Sequence, residues 1–222
     1  SLQLLPEDRE ELKKKRGFTD ETIDKYKLKS LIPEDQDRII NDLVIRHGEE
    51  EVRKAGLIDK SGNIAYALTK RNILIPYLDK DGKCIYLRAH KNGLPDIQTQ
   101  LYCPYLMQVD KKSSKIVLTE GEFKALALRQ LNITGLGLQG ISTWTGNKFQ
   151  ELVRSLRELK SDKQDFEVVI LFDTEDKNNP EHPKYQECKD KPFSKYPNEF
   201  WAYILCYKLY KEGFICKIAT LP

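Results

Sequence analysis

The chain has 222 residues, 32% of them charged, with 37 Lys and Arg against 34 Asp and Glu for a formal net charge of +3. That length accommodates one large domain or two small ones with ample core, and so small a charge excess does not by itself demand a polyanionic partner. No apolar stretch approaches the roughly 18 residues of a membrane span, and no signal peptide opens the chain, so no membrane association and a cytoplasmic setting are expected.

The five cysteines, Cys84, Cys103, Cys188, Cys206 and Cys216, are odd in number and lack CxxC spacing. That argues against a disulfide framework and a zinc site. His47, His90 and His182 are equally scattered and read as ordinary residues.

Residues 1–68 predict a small helical region. A charged helix from Glu7 to Lys15, with Pro6 at its first turn, stops near Gly17. Thr19 then suits an N-cap, with Phe18 and Ile23 as the two halves of a hydrophobic staple. A further helix is expected after Pro33, with Ile39, Ile40, Leu43 and Val44 on one face before Gly48, and a short one from Glu49 to Ala55.

Residues 69–112 change to strand periodicity. Asn72–Tyr77 and Cys84–Arg88 flank Asp81-Gly82, a strong hairpin signal. Lys70, Arg71, Lys80, Lys83, Arg88 and Lys91 outnumber Asp79 and Asp81 here. Two readings follow: a solvated edge strand guarded by lysines, or a basic surface in which Lys70, Arg71 and Arg88 contact nucleic-acid phosphates.

Residues 113–222 alternate strand and helix, which implies an α/β domain with a mainly parallel sheet. Strands are expected at 116–119, 133–138, 167–172 and Phe214–Ala219. Helices are expected at Glu122–Leu131, Asn147–Leu159 and Asn198–Glu212, the last with Asn198 as N-cap. Two of the apolar runs end on acids: Ile116-Val117-Leu118-Thr119-Glu120-Gly121 and Val168-Val169-Ile170-Leu171-Phe172-Asp173-Thr174-Glu175. Ligands in open α/β sheets bind beyond the carboxyl ends of the strands. Glu120, Asp173 and Glu175 should therefore meet at one sheet edge, with no basic residue among them in the sequence. Gathered carboxylates repel unless a cation joins them, so a divalent metal is expected.

Gly135-Leu136-Gly137-Leu138-Gln139-Gly140 matches the dinucleotide pattern G-x-G-x-x-G, but no helix opens within it, which makes a dinucleotide site a poor reading. No P-loop accompanies the acidic strand. Asp173 as a phosphohydrolase nucleophile, and a nucleic-acid-binding module without catalysis, remain open from the residues alone.

Thr119-Glu120-Gly121-Glu122-Phe123 and Leu171-Phe172-Asp173-Thr174-Glu175 resemble the two acidic motifs of the Toprim domain, shared by bacterial primases, type I and II topoisomerases and some nucleases. Leu138–Trp144 resembles the glycine turn between those motifs. Upstream, Arg16–Ile23 and Lys70–Lys83 are similar to segments of the bacterial-primase catalytic core. The resemblance implies a Toprim fold, Rossmann-like and mainly parallel, preceded by a helical and β-hairpin region. It implies nucleotidyl transfer on single-stranded DNA with Mg²⁺ or Mn²⁺, held by Glu120, Asp173 and Glu175, with Glu120 also catalytic. It also implies nucleotides as substrates, a helicase domain or protein as partner, and a setting in plasmid, phage or mobile-element replication. Toprim-type cleavage is the alternative chemistry. Two residues depart from the family: Glu175 stands where Asp is usual, and Lys124 stands where many primases have an acid.

Overall fold

The computed structural model describes residues 2–54, 57–64, 73–78, 84–90, 113–138, 140, 142, 144–161, 165–173, 180–181 and 197–220. The chain divides into two compact units, Ser1–Ile97 and Gln98–Pro222.

In the first unit, helix α1 (Pro6–Arg16) ends where Gly17 turns left-handed at φ 67°, the conformation glycine adopts without steric cost. Helix α2 (Asp20–Lys25) follows, and the Thr19 side chain accepts a hydrogen bond from the Thr22 backbone N–H at 3.2 Å. Phe18 and Ile23, on either side of that cap, are buried, as a hydrophobic staple requires. Arg9 and Lys13 of α1 both pair with Asp20 at the head of α2. Helix α3 (Pro33–His47) stops at Gly48, and α4 (Glu49–Lys54) packs Val52 against Ile40 and Ile58.

Strands β1 (Lys29–Ser30), β2 (Ile73–Leu78) and β3 (Cys84–His90) form an antiparallel sheet in that order. The hairpin pairing of β2 with β3 agrees with the sequence, while its turn, Asp81-Gly82 included, lies outside the described residues. β1 was not anticipated, because two residues carry no periodic signal; pairing with Leu74 and Ile73 holds it in place. It makes β2 the central strand, buried along its whole length despite Pro76, so the edge-strand reading does not hold for β2.

The second unit is a parallel sheet of four strands flanked by helices. β4 (Lys115–Glu120), α5 (Gly121–Gln130), β5 (Gly135–Leu138), α6 (Asn147–Lys160), β6 (Glu167–Leu171), α7 (Pro197–Lys211) and β7 (Ile215–Ala219) follow in chain order. In space the strands run β5-β4-β6-β7, all parallel. Helix α7 begins at Pro197 rather than after Asn198; proline suits a first helical position, having no N–H to leave unpaired. The core gathers Ile116, Leu118, Val168 and Ile170 from the strands with Leu152, Leu156, Leu205 and Leu209 from the helices. Trp144, fully buried, meets Trp201 edge-on at 5.6 Å.

Cys206 and Cys216 are free thiols. Burial, together with a hydrogen bond to Cys206, pushes the Cys216 thiol far above its ordinary range and keeps it protonated. Among the described residues no helix is long and apolar enough to cross a membrane.

Candidate active site

The strand order reverses direction between β4 and β6. From β4 the chain moves through α5 to β5 on one side; from β6 it moves through α7 to β7 on the other. Such a switch point opens a crevice at the carboxyl ends of the two strands. Register pairs Thr119 with Leu171. Glu120 is therefore the next residue out on one strand, and Asp173 follows two residues beyond Leu171 on the other.

The two acids meet there. Glu120 stands at the N-cap of α5, yet its side chain makes no capping hydrogen bond. Instead Glu120 Oε1 accepts from the backbone N–H of Asp173 at 3.1 Å, joining residues 53 apart in sequence.

Two glycines make this approach possible. Gly121 opens the helix at φ +68°, a left-handed conformation that a side chain would strain. Gly137 on β5 lies directly beneath: a Cβ there would fall 2.4 Å from the Gly121 carbonyl oxygen. At Gly135 a Cβ would fall 2.9 Å from that of Leu128. The first two glycines of the G-x-G-x-x-G match thus let α5 lie close on the sheet, which explains their spacing without a dinucleotide.

A third side chain completes the group. Lys124, one turn along α5 from Glu120, places Nζ 2.5 Å from Asp173 Oδ1 and 3.7 Å from Glu120 Oε2. The expectation that no basic residue stands among the acids is corrected here. The i,i+4 spacing to Glu120 was visible in the sequence, but the contact to Asp173 is tertiary. Side-chain exposures of 21% for Glu120, 39% for Lys124 and 51% for Asp173 leave the group accessible to solvent.

Glu175 lies outside the described residues, as do Asp176, Lys70 and Arg71. Among the described residues no set of three or more His, Cys, Asp or Glu is placed to hold a metal. The donors that do meet suit a hard cation, since carboxylate oxygen is the ligand Mg²⁺ and Mn²⁺ prefer. The Lys124 ammonium, seated against both carboxylates, marks the spot as one where positive charge is stable.

Arg88, expected on a basic surface, is instead only 5% exposed on β3, opposite Ile75 of β2, and has interacting partners. A buried guanidinium must be paired, so the picture of Arg88 on a solvated edge is corrected.

Comparison with known proteins bears on the fold. A family described as a domain of unknown function (DUF3854) matches residues 105–190, less than half of the chain. No curated protein matches in sequence. Solved structures do match. One is a DnaG catalytic core, 18% identical, with 98% of this chain and 65% of that one covered and a TM-score of 0.59. Another is the RNA polymerase domain of Mycobacterium tuberculosis primase DnaG, 15% identical over 98% of this chain and 70% of that one, with a TM-score of 0.62. The fold is that of a primase catalytic core. A third, the DnaG primase catalytic domain bound to ssDNA, is 18% identical, covering 98% of this chain and 66% of that one at a TM-score of 0.57. The chain spans 65% of the length of the first of these cores.

Proposed function

We propose that this chain is a primase-like catalytic core that joins nucleotides on a single-stranded DNA template with the help of Mg²⁺ or Mn²⁺. The observation that carries this reading is the meeting of Glu120 and Asp173 at the switch point of a parallel sheet, in a fold shared with primase cores. Glu120, Asp173 and Glu175 are the metal ligands in this proposal. When bound, the metal supplies neutralisation of charge at the reacting phosphate and a lowered pKa for the attacking hydroxyl.

Glu120 has a second task. Its Oε1 is held by the Asp173 N–H, which orients the carboxylate that takes the proton of the nucleophilic hydroxyl in this proposal. Asp173, half exposed, faces solvent from the neighbouring strand. Lys70 and Arg71 hold template phosphates as charge partners without reading sequence. Replication of a plasmid, phage or mobile element, in the cytoplasm and with a helicase as partner, is the setting we propose.

The test uses single-stranded DNA, ribonucleotides and Mn²⁺. Wild type should make short oligonucleotides, and Glu120→Gln should lose about 10²-fold or more in rate, the scale of a removed general base, while keeping its DNA affinity. That affinity should fall with salt, and a Lys70→Ala/Arg71→Ala variant should flatten the slope by about one unit per lost contact. Equal rates for Glu120→Gln and wild type would remove Glu120 from the chemistry. Nicked template in place of new oligonucleotide would mark the protein as a Toprim-type nuclease.

A further inference from the structure

The proposed metal ligands already have a cation between them. Among the described residues, Asp173 Oδ1 and Glu120 Oε2 lie 2.5 Å and 3.7 Å from the Lys124 ammonium. They come from different strands, and the helix turn after Glu120 delivers the lysine to both.

We propose that Lys124 is a tethered counter-ion: it fills the cation position in the metal-free protein and must leave when a divalent ion binds, so it sets how tightly metal is held. This rests on the reading of Glu120 and Asp173 as metal ligands.

Three observations support it. The first is charge. Glu120, Asp173 and Lys124 sum to −1, against −2 for the carboxylates alone, and the affinity of a carboxylate site for a hard cation follows the charge of its ligands. The second is freedom of movement. Lys124 is 39% exposed on its side chain, and its partner Asp173 is 51% exposed. The ammonium can swing into water without opening the core, on the fast timescale of exposed rotamers. The third is fixity of the rest. The Asp173 N–H bond to Glu120 Oε1 and the Gly137–Gly121 approach keep the strand ends together when the lysine departs.

Lys124 is therefore a positioning residue, and it should make the wild-type site a weak one for metal. It holds the carboxylates together until an ion of higher charge density takes its place.

Mn²⁺ titration followed by calorimetry, together with melting in EDTA, tests this on the intact chain. Lys124→Met keeps the apolar stem and removes the charge. It should bind Mn²⁺ about tenfold tighter or more, within the ordinary range of coupling between two sites, and should melt lower than wild type in EDTA, where its carboxylates repel without relief. Lys124→Arg, which keeps the charge, should stay as weak as wild type. If Lys124→Met does not fold, Lys124→Gln gives the same reading. Equal Mn²⁺ affinity for the neutral variant and wild type would overturn the competition while leaving the metal ligands standing. Mn²⁺ binding to none of the proteins would overturn both.

Discussion

Among the described residues, each end of the parallel sheet carries a group of carboxylates and ammoniums, and the two are built in opposite proportion. At the amino end one acid, Glu167 on β6, is paired with Lys115 on β4 at 3.1 Å and with Lys217 on β7. At the carboxyl end two acids share one lysine. The first group is oversupplied with positive charge and closes on itself, joining three neighbouring strands. The second keeps a net negative charge at the crevice where ligands bind in this class of sheet. The same two kinds of side chain make a staple in one place and a candidate site in the other. What differs is the count.

The contrast is broken most severely through the backbone. Gly137→Ala would put a methyl group against the Gly121 carbonyl and push away the turn that carries Glu120. Overpacking of this kind costs about 1–3 kcal/mol, measurable by chemical denaturation. The loss should be accompanied by a weaker Mn²⁺ response, because the damage falls at the carboxyl end alone.

Metal comes next. At a hundredfold excess over its Kd, Mn²⁺ should stabilise the protein by about 2.7 kcal/mol, read as a rise in Tm. Asp173→Asn should abolish that rise, whereas Glu167→Gln should retain it in full. A loss of the rise in both variants would mean that the ends are not distinct in the way described.

Acid provides the smallest effect. Hydrogen bonds from Lys217 and then Lys115 hold the Glu167 carboxyl below its ordinary range. A carboxylate with a depressed folded pKa contributes stability that is present above its unfolded value and lost as pH falls through the folded one. Wild type should therefore lose more stability than Glu167→Gln on acidification through and below the usual carboxylate range. The two should differ most near neutral pH and converge in acid, and the difference should be modest because Lys115 and Lys217 are solvent-exposed. Parallel melting curves for the two proteins across that range would show that the amino-end group is not a staple.

Much of this arrangement was legible in the chain. The strands ending in Glu120 and leading to Asp173 announce themselves as short β-branched runs, and the alternation of strand and helix fixes a parallel sheet. Helix ends with chemistry of their own, Thr19, Gly17 and Gly48, were equally plain. What stayed hidden was tertiary. β1 exists only because β2 is there to pair with it. Arg88 displays its charge in the sequence, but its burial depends on neighbours far away in the chain. Lys124 looked like a lost acid; its meeting with Asp173 requires β6 to lie beside β4. The sequence already spoke against a nucleotide motif at Gly135 and Gly137, but only the helix above them shows what their missing side chains make room for.

The hydrogen bond from Asp173 to Glu120 also sets an order of events. Its two residues are 53 apart, and all of α5, β5 and α6 must be made before β6 can dock against β4. Loop-closing contacts of that span form late. A growing or half-folded chain can therefore own a sound helix and a first pair of strands while its acids are still strangers. The chemistry proposed for them becomes available only with the last stages of assembly, so a partly folded molecule should be inert toward nucleic acid chemistry rather than an unregulated version of the finished one.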